Sequence, residues 1–410
     1  MAFPIVITSN SAQPNTGGAC GPFKIGSALY VMTLDFTNGS AIEAWKSTDG
    51  GNTWVLKDSS GSPIDDGNTG DCAYCTDGSK IYVAYSVASI LTISTFDPST
   101  DTWTVTVSSG RTIETSGANL GVGTCLAIGW DAADSVCIVL YADHVFTTGG
   151  EQRTAYATYN PITHGVAGFN HCGGSTNAWA GNAVLPGSGR MHFIFTVVDP
   201  SGNVTFWQQA ITGTVTLGTL QQIGSIGSGF GFLFGIFCFS DGTNIICTGP
   251  EPFADSNDVL TGTSADPIVF STVTVNLPGS ATPNMAGTVL SSGVQYLIAS
   301  YNNGGTNTIG LAIKSGASFG AFTTLGTVGN GSFLYASNVS GTASPWSLVS
   351  LGSLIFWQLA STPPPSSTTP VILNAGGAIS LPDPKQSYLC RWGPYQRCMS
   401  RRMDMTIHKR

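Results

Sequence analysis

Short apolar runs recur along the chain at almost even intervals. They are Ala28-Leu29-Tyr30-Val31, Lys80-Ile81-Tyr82-Val83, Val136-Cys137-Ile138-Val139, Met191-His192-Phe193-Ile194, Asn244-Ile245-Ile246-Cys247, Val294-Gln295-Tyr296-Leu297 and Leu348-Val349-Ser350-Leu351. Their first residues are 52, 56, 55, 53, 50 and 54 positions apart. Even spacing of this kind marks copies of one supersecondary unit. Each run follows a turn rich in Gly or Asp, and three more apolar or alternating stretches complete each unit. The four stretches of the second unit are Cys72–Thr76, Ile81–Ser86, Ile90–Thr95 and Trp103–Val107, with Asp77-Gly78-Ser79 and Asp97–Asp101 as the turns. Turn residues of these types bend the chain for backbone reasons.

Tandem four-stranded units predict an all-β chain, a seven-bladed β-propeller of antiparallel blades over residues 1–360. The seventh unit is short, with Phe333–Ala336, Leu348–Leu351 and Leu354–Leu359. Its outer strand is expected from Pro4–Thr8, which would close the ring and remove a sheet edge; Pro370–Leu373 competes for that role. Three Gly-x-Cys steps, at Gly18–Cys20, Gly70–Cys72 and Gly123–Cys125, begin innermost strands and give the same frame.

Composition agrees with strands and turns. Gly occurs 52 times, charged residues make up 9%, and Glu appears only at 43, 114, 151 and 251. Helix formers are scarce while Thr, Val, Ile, Phe and Tyr abound. Residues 361–370 form a Pro/Ser/Thr-rich linker, and residues 371–410 a tail too short for a core of its own.

Charge divides the chain. Residues 1–363 carry 8 basic and 21 acidic groups, a net of −13, whereas residues 364–410 carry 7 and 2, a net of +5. An acidic body argues against nucleic-acid binding by the propeller. The tail holds Tyr388, Arg391, Trp392, Tyr395, Arg397, Arg401 and Arg402, a basic aromatic set suited to anchoring on a protein partner or assembly. The start of the chain lacks a basic and apolar leader, and no run reaches the ~20 apolar residues of a membrane helix. Ten cysteines make neither a disulfide scaffold nor a zinc module in so long a chain. A virion or extracellular setting follows from the Thr/Ser/Gly/Asn-rich surface.

Ser47-Thr48-Asp49-Gly50-Gly51-Asn52-Thr53-Trp54 has the form S-x-D-x-G-x-T-W. It resembles the Asp-box (bacterial neuraminidase repeat) of sialidase-like propellers, and Asp97–Trp103 is similar to a degraded copy. The resemblance implies a structural turn built by Ser47, Asp49, Gly51, Thr53 and Trp54 on the face opposite an active site. Active sialidases of this kind use three arginines, a Tyr nucleophile with a Glu, and an Asp acid/base. This propeller has only Arg111, Arg153 and Arg190, lacks the Arg-Ile-Pro-type motif, and predicts one blade more than those enzymes carry. The resemblance therefore implies a non-catalytic propeller.

Loops 108–123, 142–153, 161–178 and 249–266 are long and are expected on the other face, where function gathers on rigid scaffolds. They supply the candidate binding residues Arg111, Glu114, His144, Glu151, Arg153, His164, His171, Trp179, Glu251, Asp255 and Asp258, together with Asp143 and Asp266. A glycan or a protein is the partner expected there, with Trp179 and Trp130 as sugar-stacking candidates. Glu114, Glu151 and Glu251 are the carboxylates from which a glycoside hydrolase pair would have to come. Asp255–Asp258 lacks the spacing of a calcium loop. Cys72 and Cys75, three apart on a strand, point to opposite faces and so do not chelate together. No phosphate loop, nucleotide fingerprint or Ser-His-Asp arrangement is legible, and no cofactor is implied.

Overall fold

The computed structural model describes residues 5–8, 19–35, 41–64, 72–113, 126–143, 153–173, 178–198, 204–226, 237–240, 243–250, 256–276, 283–291, 294–303, 306–315, 318–327, 333–337, 346–350 and 354–358. Among them there is no helix. The chain opens on β1 (Ile5–Thr8) and then builds antiparallel sheets in sequence order. The first sheet holds β2 (Ala19–Ile25), β3 (Ala28–Asp35), β4 (Ala41–Ser47) and β5 (Val55–Lys57). The second holds β6 (Ala73–Thr76), β7 (Ile81–Val87), β8 (Ile90–Asp97) and β9 (Thr102–Thr112). The third holds β10 (Leu126–Asp131), β11 (Val136–Asp143), β12 (Arg153–Asn160) and β13 (Gly165–His171).

The fourth sheet contains β14 (Ala178–Gly187), β15 (Arg190–Val198), β16 (Val204–Thr212) and β17 (Thr216–Ile226). The fifth contains β18 (Phe237–Ser240), β19 (Asn244–Pro250), β20 (Ser256–Thr263) and β21 (Ser271–Asn276). In the sixth, β22 (Pro283–Ser291), β23 (Val294–Asn303) and β24 (Thr306–Ser315) are followed by β25 (Ser318–Phe319) and β26 (Thr323–Thr327), both paired to β24. The last sheet takes β27 (Phe333–Ser337), β28 (Trp346–Ser350) and β29 (Leu354–Gln358) from one end of the chain and β1 from the other. Ile5 faces Phe356 and Val6 faces Ile355 in that antiparallel pair. Residues 370–373, the competing strand, lie outside the described residues.

Every apolar run read from the sequence falls on the second strand of a sheet. The reason is burial on both faces. Successive side chains on a strand point to opposite faces, and on β7 and β11 both faces meet a neighbouring sheet. On β7, Ile81, Val83 and Tyr85 pack with Tyr30, Met32 and Ile42 of the first sheet. Tyr82 and Ala84, between them, pack with Cys137, Val139 and Tyr141 of the third. On β11 the alternation repeats: Ile138 and Leu140 meet Phe193, Phe195 and Met191 of the fourth sheet. Cys75 belongs to the second of these cores and Cys72 to the first, the opposite-face arrangement expected for an offset of three.

First strands of successive sheets lie side by side, β6 against β10, β10 against β14 and β14 against β18. Small residues make this approach possible. A Cβ added to Gly129 on β10 would run into the Val184 carbonyl of β14. Sheets packed face to face around their first strands make a β-propeller fold.

Candidate functional site

Two ends of the sheets differ in character. At one end lie the turns joining first to second and third to fourth strands. The Asp-box residues occupy such a turn, between β4 and β5. Asp49 accepts from the Ser47 hydroxyl (2.8 Å), the Thr53 amide (2.9 Å) and the Thr53 hydroxyl (2.7 Å). These donors hold its carboxyl down at about 2, the Thr53 amide being the largest cause. The Gly51 amide donates to Ser47 Oγ at 2.8 Å and the Trp54 indole N–H to the Gly51 carbonyl at 3.0 Å. Gly50 and Gly51 take φ of +72° and +93°, the left-handed region that suits glycine. In the Asp97–Trp103 turn, Asp97 accepts from the Ser99 amide (2.9 Å) and hydroxyl (2.6 Å). The Trp103 amide donates across to Asp58 of the first sheet at 2.8 Å. All of this is turn and inter-sheet structure.

At the other end, three residues from two sheets converge. Asp143 ends β11, Arg111 stands near the end of β9, and His171 ends β13. Asp143 Oδ2 accepts from Arg111 Nη2 at 2.6 Å and bonds His171 Nε2 at 2.8 Å. The Asp143 side chain is 1% exposed, whereas those of Arg111 and His171 are 33% and 42% exposed. The Asp143 carboxylate raises the proton affinity of the Arg111 guanidinium further. The Phe169 ring lies 5.7 Å from the guanidinium carbon. Asp143 Oδ1, Arg111 Nε and the Tyr141 hydroxyl are buried with no hydrogen-bond partner among the described residues. Burial, and then the Asp143 charge, push the Tyr141 phenol well above its ordinary range. Buried polar groups are nearly always paired, and here the Tyr141 hydroxyl and the Arg111 guanidinium lie close enough to influence each other.

The sequence had named Arg111, His171 and Asp143 but not their pairing. Arg153, also named, stands opposite Asp143 in the β11–β12 register. Other expectations need correction. His164 is not on this face. It lies in the β12–β13 turn at φ +55°, with Nδ1 3.3 Å from the Tyr159 hydroxyl. The supposed loop 161–178 contains the strand β13, and the loop 108–123 starts after β9 has run on to Thr112. Asp258 is a strand residue of β20, paired with Thr274 and Gly249. Asp266 lies at the turn end, where Oδ1 accepts from the Thr219 amide at 2.7 Å. Trp130 stacks on Tyr82 (5.8 Å, 9°) against the second core and offers no sugar platform. Trp179 lies near the start of β14. Glu114, His144, Glu151, Glu251, Asp255 and the tail residues Tyr388, Arg391, Trp392, Tyr395, Arg397, Arg401 and Arg402 lie outside the described residues.

A second constellation escaped the sequence reading. His192, fully buried on β15, bonds the Ser264 hydroxyl through Nε2 at 2.7 Å. The Gln208 amide, oriented to satisfy its partners, accepts from His192 Nδ1 (3.0 Å) and donates to Gln221 (3.2 Å). Gln221 donates on to the Ile268 carbonyl at 2.9 Å. A serine, a histidine and an amide in series have the order of a hydrolytic site. Here the serine is sealed: Gly187 packs directly on it, and the Ser188 amide donates to its Oγ at 3.2 Å. Desolvation lowers the His192 pKa to about 4, with Arg190 adding to the effect. The network joins the fourth and fifth sheets. Only tertiary pairing brings Ser264 to His192, 72 residues away.

Among the described residues no group of three or more His, Cys, Asp and Glu is placed to hold a metal ion. Cys75 and Cys137 sulfurs lie 3.9 Å apart in a core, as thiols. No described helix is long and apolar enough to cross a membrane.

No protein-family model matches the sequence, and no curated protein sequence does. Solved structures resemble it in fold. One, from work on two prolyl endopeptidases, superposes with a TM-score of 0.50 at 10% identity. That match covers 87% of this chain and 49% of the other, so the chain spans about half of its length. The β-propeller domain of the Trilobed protease from Pyrococcus furiosus gives 0.47 at 10% identity, covering 85% and 98%. The SapL1 lectin in complex with alpha methyl fucoside gives 0.44 at 13% identity, covering 79% and 98%.

Proposed function

We propose that the chain is a non-catalytic interaction protein. In this reading it is a seven-bladed β-propeller, residues 1–360, closed by its N-terminal strand. It presents the face around Arg111, Asp143 and His171 to a partner or glycan. Residues 361–370 link it to a basic aromatic segment, residues 371–410, that anchors it to an assembly such as a virion or another extracellular particle.

Support for the closed ring comes from the ends of the chain: β1 pairs with β29, and β27 contacts both β22 before it and β2 of the first sheet. The Asp49 hydrogen bonds support the likeness to Asp-box propellers. The observation that carries the binding reading is the shared Asp143 oxygen. A general acid must give up a proton, and a nucleophile must reach its target. Asp143 is buried, and one of its oxygens holds both the Arg111 guanidinium and the His171 ring. Groups held rigid by a buried partner are pre-organised for binding.

Light scattering on the full chain tests the anchoring half. The wild type is expected to assemble beyond one chain, and the triple variant R397E/R401E/R402E to remain a folded single chain. A monomeric wild type, or assembly untouched by the charge reversal, contradicts it.

A further inference from the structure

We infer that the Arg111–His171 pair is a binding site for the hydroxyl groups of a neutral sugar. The inference rests on the reading that this face binds rather than reacts, and it comes from hydrogen-bond polarity. Asp143 Oδ2 can only accept, and both Arg111 Nη2 and His171 Nε2 bond it, at 2.6 and 2.8 Å. An N–H on Nε2 therefore faces the carboxylate, and in the uncharged form of the ring Nδ1 is an acceptor. Arg111 has further N–H donors in its planar fork. Because both nitrogens bond one oxygen, a guanidinium donor and an imidazole acceptor belong to one partly exposed cluster.

That combination selects for a group that both accepts and donates. A sugar hydroxyl takes the Arg111 N–H on its oxygen and gives its own proton to His171 Nδ1. A carboxylate or phosphate can only accept, so it leaves that Nδ1 acceptor unmatched. An ammonium can only donate and is opposed by Arg111. Phe169, 37% exposed and 5.7 Å from the guanidinium carbon, supplies an apolar face for the C–H side of a pyranose. Beneath the pair, the unmet Asp143 Oδ1 and Tyr141 hydroxyl keep the floor polar.

The test is affinity electrophoresis of the full chain through gels holding dextran, mannan, galactan or, as the anionic arm, polygalacturonate. At least one neutral polysaccharide is expected to retard the wild type, and polygalacturonate is not. His171→Ala and Phe169→Ala should each weaken that retardation about tenfold, the equivalent of one lost hydrogen bond or apolar contact. Arg111→Lys keeps a cation on Asp143 but loses the fork, so it should fold with an unchanged melting temperature and still bind more weakly. Retardation by polygalacturonate alone, none by any neutral polysaccharide, or equal retardation of His171→Ala and Arg111→Lys variants overturns the assignment. If tail-dependent assembly persists without sugar binding, the sugar assignment fails and the display reading stands. Sugar binding without assembly has the reverse meaning.

Discussion

Two side chains lose stability on acidification, in different pH windows. Asp49 is ionised in the fold with its carboxyl held down at about 2. Its contribution is complete above about pH 4 and is lost as pH falls through the folded value. Asp49→Ala should therefore lower the melting temperature at pH 7 and have little effect near pH 2, which thermal scans across pH would show. His192 acts in the same direction at higher pH, as a neutral rather than a charged group. It is neutral and buried with a pKa of about 4, whereas an unfolded chain protonates near 6.5. Stability is full above about pH 6.5 and falls as pH drops toward 4, by roughly 3 kcal/mol at most. Urea unfolding of the wild type between pH 7 and 4 should show that slope, and a His192→Gln variant should flatten it. Local chemistry decided which of these was legible. Every Asp49 bond lies within residues 47–53, so eight letters of sequence contain the motif. The partners of Asp143 come from 32 residues before it and 28 after, and Ser264 lies 72 residues from His192.

Strands were legible where both their faces are buried. The strands β7 and β11 are apolar runs because a neighbouring sheet covers either side. Outer strands carry less signal. Gly165-Val166-Ala167-Gly168-Phe169-Asn170-His171 reads as loop because six of its seven residues are exposed and Gly168 bends it at φ +69°. Pairing with β12 makes it a strand all the same. Ser108-Ser109-Gly110 likewise suggests the end of β9, yet the register shifts and the strand runs on to Thr112, which carries Arg111 to the site. Close contact between first strands left a different mark, glycine where no side chain fits. Gly129→Ala should push β10 from β14 and cost about 1–3 kcal/mol, measurable by denaturant unfolding. Truncating a packed aromatic between sheets, Phe193→Ala, should cost about 3–5 kcal/mol in the same assay.

At the scale of the whole molecule, the repeat foretold the architecture because each unit is a sheet that cannot bury two faces alone. Even the incomplete last unit was informative, since a missing outer strand had to come from elsewhere in the chain. The Arg111–Asp143–His171 cluster depends on sheet packing, since β9 belongs to the second sheet and β11 and β13 to the third. The measurement that tests the closed ring most directly is amide hydrogen exchange of the native full chain, read at Ile5–Thr8 and Leu354–Gln358. Seven blades closed by the N-terminal strand predict that both segments are protected and lose protection together as denaturant is raised. Exchange of Ile5–Thr8 at the rate of a free peptide, beside a protected Leu354–Gln358, would contradict the closed ring.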